Sequence, residues 1–508
     1  MQKFKVGDGR AAGILLPVFS LPGPYGIGAF GRQAYEWIDF LERAGQSYWQ
    51  VLPLGPTSYG DSPYQSFSAF AGNPYFVDLD ILCKESLLDQ KECEAVYWGS
   101  DERKVEYETI FDSRDKMLRK AYSRFADKIA LERFRGENAG WLEDYALFMA
   151  IRERAGSAAW TEWDEDIRLR EPDVIAKLRE QLRGDIEYHV FVQYQFHRQW
   201  SALKKYAGRK GIGIIGDIPI YVAMDSADTW SNSDIFFLDE NGRPVDVAGC
   251  PPDYFSETGQ LWGNPLYRWD ELKKRDYSWW MDRLRASFSL YDIVRIDHFR
   301  GLESYYAIPG DSATAIIGEW RKGPGMDLIG KINGEFGQGK IIAEDLGILT
   351  DEVRELLRES GYPGMKVLQF AFSPGAQSDY LPHNHRRHCV VYTGTHDNDA
   401  TQGWLSTPGA EDVKFAKEYL GIADVREGGR ALIRAALASV GNLAVIPFAD
   451  YLGLGNEARI NAPSTLGGGN WSWRMGKTDA NPELARKILR LASIYGRAPD
   501  RKNEDTGG

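Results

Sequence analysis

Eight short apolar runs recur along almost the whole of this 508-residue chain, at 13–20, 48–54, 211–221, 292–297, 340–344, 365–372, 389–395 and 442–448. Gly, Pro, Asp or His stands within two residues of the end of each. Apolar throughout rather than alternating, such runs suit strands buried on both faces, as in a parallel sheet. Helical patterns lie between most of them. Ala34, Trp37, Ile38 and Leu41 recur at helical spacing and stop at Gly45; Thr350 is placed to cap a helix that Gly361 stops; 427–440 precedes the eighth run. Strand followed by helix, eight times over, predicts an α/β fold, a (β/α)8 TIM barrel. A doubly wound open sheet is the rival arrangement.

The uneven spacing locates insertions. The second run ends at 54 and the third begins at 211, with charged helical segments at 101–133 and 141–154 between them. Residues 1–79 are therefore read as barrel strands one and two, 80–185 as a mainly helical inserted subdomain, and 186–508 as strands three to eight. Within the last span, 225–275 is rich in Asp, Gly, Pro and aromatic residues, a composition suited to a long ordered loop over the strands' C-terminal face.

Barrels of this kind carry their chemistry where the strands end. Here those ends read Tyr59-Gly-Asp-Ser (just beyond strand two), Asp217-Ile-Pro, Arg295-Ile-Asp297-His298, Glu344-Asp345 and His396-Asp397-Asn398-Asp399. Acidic groups thus collect at one rim, and buried carboxylates are costly without a role. The alternation of a strand puts Arg295 and Asp297 on one face, where the guanidinium would keep the carboxylate charged and oriented. A purely structural ion pair fits that spacing too. Glu344 follows the apolar Ile341-Ile-Ala, where desolvation and nearby negative charge would keep it protonated. An ionised and a protonated carboxyl are what cleavage of a glycosidic bond with retention requires, and Asp397 supplies a third carboxyl.

The formal charge of −12 disfavours nucleic acid and anionic membrane surfaces as partners. Cys83, Cys93, Cys250 and Cys389 are scattered, with neither a disulfide framework nor a zinc spacing. With no apolar leader at the N-terminus and no uncharged run of membrane-spanning length, the expected location is the cytoplasm.

The set Gly216-Asp-Ile-Pro, Arg295-Ile-Asp-His-Phe-Arg-Gly, Ala343-Glu-Asp-Leu-Gly and Gly394-Thr-His-Asp-Asn-Asp resembles the 4-α-glucanotransferases known as amylomaltases or disproportionating enzymes, of the α-amylase clan. The likeness runs from Leu21-Pro-Gly-Pro-Tyr-Gly-Ile-Gly to Asn470-Trp-Ser-Trp-Arg. Pro251-Pro-Asp-Tyr-Phe-Ser and Gly259-Gln-Leu-Trp-Gly-Asn-Pro separate it from ordinary amylases. The resemblance implies Asp297 as nucleophile, Glu344 as general acid/base and Asp397 as transition-state stabiliser. It implies Arg295, His298 and His396 around the sugar at the cleavage point; Tyr59, Asp217, Trp262, Asn264 and Asn461 near the glucan; and Tyr254 and Phe255 in a lid over the cleft, excluding water. It implies no cofactor and no metal. Maltooligosaccharides or other α-1,4-glucans are the expected partners, with glucose as an acceptor, and the chain is expected as a monomer or weak homo-oligomer. Cys250, Pro17-Val-Phe, Ala400 and Ile460 depart from the usual pattern, and none is a proposed carboxylate. A hydrolase of the same clan, or a glucan-binding protein that has kept the barrel, are the competing readings.

Three other features invite different chemistry. Gly211-Ile-Gly-Ile-Ile-Gly216 fits a dinucleotide-binding pattern, but its glycines lie inside an apolar run and Asp-Ile-Pro cannot open the required helix, so close backbone packing is expected. His383-Asn-His-Arg-Arg-His388 invites a metal, against which Arg386 and Arg387 would act. Trp471 and Trp473 suit packing at the barrel rim better than stacking on sugar.

Overall fold

The computed structural model describes residues 4–7, 9–58, 60–252, 256–347, 349–373, 378–407 and 411–500. Eight parallel strands form its centre: β1 (Ala11–Leu15), β2 (Tyr48–Gln50), β3 (Gly213–Pro219), β4 (Ile293–Asp297), β5 (Ile341–Ala343), β6 (Gly364–Val367), β7 (Cys389–Tyr392) and β8 (Leu443–Pro447). Six fall within the apolar runs, and β1 and β6 begin two residues and one residue ahead of theirs. Their order in the sheet is β6-β7-β8-β1-β2-β3-β4-β5, the sequential order of a barrel opened between β5 and β6. Two bonds bridge that seam: Ala343 N–H donates to the Pro363 carbonyl at 3.0 Å, and Met365 N–H to Asp345 Oδ1 at 2.6 Å. The fold is therefore a (β/α)8 barrel and not a doubly wound sheet, whose strand order would reverse at a switch point.

The helix Asp351–Ser360 begins and ends where its local chemistry says it should. Thr350 accepts from Val353 N–H at the head of Asp351–Ser360, and Gly361 closes it at φ 71°. Gly216 is required for a different reason, because a Cβ there would sit 2.1 Å from the Tyr291 ring. Gly213 and Gly216 thus serve close packing in β3, while Gly211 takes a left-handed φ of 72° just ahead of it.

Between β2 and β3 the chain is helical. Tyr107–Arg124, Lys128–Glu137 and Leu142–Arg154 pack against the 27-residue helix Arg183–Arg209, which leads back into β3. Buried Phe191, Phe196 and Trp200 line that helix. His197 packs against Phe134 and Trp141, and burial pushes its imidazole down to about 4.

The region between β3 and β4 differs from a simple loop. Asp246–Cys250 and Gln260–Pro265 join Ser304–Pro309 and Glu319–Lys322 in a four-stranded antiparallel sheet. This small sheet carries Trp262 and Asn264. No helix among the described residues is long and apolar enough to cross a membrane.

Candidate active site

The site grows out of the register between β3 and β4, which sets Asp217 opposite Arg295 and Pro219 opposite Asp297. Arg295 is 3 % exposed and Asp217 fully buried. A single guanidinium nitrogen of Arg295, Nη1, donates to both Asp217 oxygens at 2.7 Å and to Asp297 Oδ1 at 2.9 Å. Arg295 Nε faces Met365 Sδ at 3.3 Å, so the guanidinium is fixed from β3, β4 and β6 together. The pair expected from spacing is thus a triad, with Arg295 shared between two acids. Burial pushes the Asp297 carboxyl up, Arg295 pulls it back, and the Asp397 charge pushes it up again. Because Arg295 is shared, its hold on Asp297 is weaker than the two-residue spacing suggests.

Glu344 stands one residue beyond β5. Its Oε2 accepts from His298 N–H at 2.7 Å and its Oε1 from Leu346 N–H at 2.7 Å. Those bonds favour the carboxylate. Burial and the neighbouring Asp297 outweigh them and push Glu344 up to about 8. Asp297 touches a cation directly and Glu344 bonds only to backbone amides. Of the two, Glu344 therefore keeps its proton more readily.

His298 has φ 54°, the left-handed region, where a non-glycine residue is strained by about 1 kcal/mol or more. In that conformation its N–H donates to Glu344. Its ring meets Trp262 edge-on at 4.7 Å, and burial, with Arg300 adding to it, pushes the imidazole down to about 3.

The third acid comes from the loop after β7. Asp397 Oδ1 accepts from Asn461 Nδ2 at 2.7 Å, and His396 Nε2 lies 3.3 Å from Oδ2. His396 is buried, which holds its imidazole below the ordinary value, and it stacks on Tyr64 with ring centroids 5.0 Å apart. Tyr64 in turn donates its hydroxyl to Asp217 Oδ2 at 2.9 Å. Tyr64 thus joins the loop after β2 to both the Arg295 triad and the His396–Asp397 loop. Sequence reading passed over it in favour of Tyr59, five residues earlier, although an aromatic so close behind a strand end was the available signal.

Asp217, Arg295, Asp297, His298, Glu344, His396, Asp397 and Asn461 are therefore brought together in one connected network, with Trp262 against His298. Asn264 is placed differently. Its side chain is buried, donating to the Val222 carbonyl at 2.7 Å and accepting from Gln65 at 3.4 Å, so its amide braces the small sheet. Tyr59, Tyr254 and Phe255 lie outside the described residues. Trp471 and Trp473 are both buried, and Trp471 backs the Tyr64–His396 stack at 5.9 and 6.0 Å.

Among the described residues, no group of three or more His, Cys, Asp or Glu is arranged to hold a metal. The histidines of 383–388 are spent elsewhere. His383 bonds the Tyr419 hydroxyl at 2.8 Å, His385 the Tyr380 carbonyl at 2.8 Å, and His388 the Gly361 carbonyl at 3.0 Å.

An arginine-bound carboxylate, a protonated carboxyl beside it and a third acid oriented by an amide form the equipment for cleaving and remaking a glycosidic bond. Comparison with known proteins agrees with that chemistry. The glycoside hydrolase family 77 model, described as 4-alpha-glucanotransferase, matches residues 16–478. A 4-alpha-glucanotransferase of Clostridium butyricum is 51 % identical over 484 residues, covering 94 % of this chain and 99 % of its own. One from Thermus thermophilus is 47 % identical over 501 residues, covering 96 % and 99 %. Among solved structures, an amylomaltase from Streptococcus agalactiae in complex with acarbose superposes with a TM-score of 0.94 at 40 % identity, covering 96 % of this chain and all of that one.

Proposed function

The chain belongs to the 4-alpha-glucanotransferases of glycoside hydrolase family 77, and from that premise we propose that Asp297, Glu344 and Asp397 carry its transfer reaction. Its activity is transfer of α-1,4-glucan segments from a donor to the 4-hydroxyl of an acceptor by a retaining double displacement. In the proposed first half, an Asp297 oxygen attacks the anomeric carbon of the donor. The bond to the departing 4-oxygen breaks and Glu344 gives that oxygen its proton. The product is a glucosyl ester on Asp297 and an ionised Glu344. In the second half, Glu344 takes the proton of an acceptor 4-hydroxyl, whose oxygen displaces Asp297 from the anomeric carbon. Two inversions give net retention, and both carboxyls return to their starting states.

Asp397, held by Asn461 and flanked by His396, accepts hydroxyls of the sugar at the cleavage point as positive charge develops on its ring. His298 and His396, both kept neutral by burial, offer ring nitrogens without adding positive charge beside an oxocarbenium-like centre. Maltooligosaccharides serve as donors and short glucans or glucose as acceptors. The observation that carries this assignment of roles is the contrast between Glu344, raised to about 8, and Asp297, bonded to Arg295.

Incubation with maltotriose tests it. A ladder of longer glucans plus glucose is expected, whereas maltose and glucose alone would indicate a hydrolase. D297N should stop the ladder while leaving the circular dichroism spectrum unchanged; retained turnover would remove Asp297 from the mechanism.

A further inference from the structure

The loop carrying His396 and Asp397 is held from outside itself. At its base, the buried Asp450 carboxylate accepts from Thr393 Oγ1 at 2.5 Å, Thr401 N–H at 2.8 Å and Thr401 Oγ1 at 2.7 Å. Those three bonds hold the two ends of 394–400, at Thr393 and Thr401, and not the turn that bears Asp397. The turn is gripped by Arg459, from the segment after β8. Arg459 Nη1 pairs with the Asp399 carboxylate, Nη2 donates to the Asp397 carbonyl at 3.0 Å, and Nε donates to the Asn461 carbonyl at 2.8 Å. Asn461 then completes a ring of contacts, its N–H donating to the His396 carbonyl at 3.0 Å and its Nδ2 to Asp397 Oδ1.

We infer that Arg459 is a positioning residue for the transfer reaction, joining the β7 and β8 loops so that the Asp397 carboxylate and the Asn461 amide meet at the distance the chemistry needs. This rests on the reading of Asp397 as a reacting-site acid. A planar guanidinium suits the task because it donates in three directions at once, to a carboxylate and two carbonyls, whereas an ammonium on a flexible stem fixes none of them. Arg459 is partly exposed, with 30 % of its side chain accessible, so the ion pair itself contributes little to global stability. Its value lies in orientation. Displacement of a catalytic group by about 1 Å costs roughly 10²-fold in rate.

The test is a double-mutant cycle on the full-length protein with maltotriose, repeated with α-glucosyl fluoride where the rate is too low. R459Q should lower kcat about 100-fold with KM within about twofold and little change in melting temperature. R459K, lacking the fork, should recover only a small part of the loss, and free guanidinium should partly rescue R459A. In a D397N background, R459Q should cost nothing further, because the group it positions is already gone. Unchanged kcat in R459Q, or a full additional loss in D397N/R459Q, overturns the inference. Wild-type turnover by D397N alone would instead overturn the role of Asp397, a separable outcome. If R459Q does not fold, D399N removes one of the three anchors without touching the arginine. It should lower kcat in the wild-type background only, and an equal loss in both backgrounds counts against the inference.

Discussion

The backbone N–H of His298 donates to Glu344 Oε2 at 2.7 Å, so the residue directly after the proposed nucleophile, Asp297, also seats the proposed acid. Proposed nucleophile and proposed proton donor are thereby linked through one peptide unit, next to the strained φ of 54° at His298. The Asp297 charge, with burial, in turn raises the Glu344 carboxyl.

The first prediction concerns pH. In the proposed mechanism Glu344 must be protonated to expel the leaving group, and its carboxyl is raised to about 8. Transfer from maltotriose should therefore fall as pH rises through about 8, with kcat/KM declining tenfold per unit on the alkaline side. E344Q should lose this limb and lose about 10²–10⁴-fold in turnover of maltotriose. With α-glucosyl fluoride, whose leaving group needs no proton, the first half-reaction should survive far better. A wild-type rate that is flat to pH 9.5 sinks the role of Glu344.

The same carboxyl links stability to pH. Its folded value lies above the unfolded one, so the proton-linked stabilisation is complete below about pH 4.3 and disappears as pH rises through about 8. At pH 8.5 the wild type confines a charge to a site that disfavours it, and glutamine does not. E344Q should then melt above the wild type by about 2 °C or more at pH 8.5 and by less at pH 5. Equal differences at the two pH values would show that Glu344 carries an ordinary carboxyl.

All eight barrel strands were legible in the sequence because each is buried on both faces and ends at a breaker. The antiparallel sheet beside the site was not, and its residues explain why. Glu319–Lys322 reads Glu-Trp-Arg-Lys and is largely exposed, and Asp246–Cys250 holds a glycine whose Cβ would lie 2.1 Å from the Gln260 carbonyl oxygen. Short strands like these show neither an apolar run nor clean alternation. Asp297 and Glu344 were legible because they stand at strand ends, whereas Asp397 lies in the loop five residues beyond β7. The sharing of Arg295 with Asp217 and the stacking of Tyr64 on His396 depend on neighbours 78 and more than 300 positions away, which no local pattern encodes.

Tyr64 has two separable contributions. Y64F removes the 2.9 Å hydrogen bond to Asp217 and keeps the ring stacked on His396. A hydrogen bond to a charged group contributes about 1.5–3 kcal/mol, so kcat/KM should fall by roughly 10- to 100-fold if the Asp217–Arg295–Asp297 triad is loosened. Y64A removes the stack as well and should cost more, with His396 free to turn from Asp397. Equal kinetics for Y64F and wild type would confine Tyr64 to packing.

Arg497 provides the opposite case, a buried charge that should govern stability alone. It is fully buried and donates to the carbonyls of Ala11, Leu437, Ser439 and Gly441, tying the last helix to the start of β1, the end of 425–438 and the approach to β8. These groups lie at the N-terminal face of the barrel, opposite the carboxylates, where side chains hold the fold and take no part in chemistry. R497A leaves several carbonyls without donors, each worth about 1–3 kcal/mol when buried. The urea midpoint should drop sharply, by an amount equivalent to about 3–5 kcal/mol, the range for breaking buried charged contacts. Below that midpoint the folded fraction should transfer glucan with wild-type kcat and KM. A variant of normal stability, or a folded one with altered kcat, would contradict this division between the two faces of the barrel.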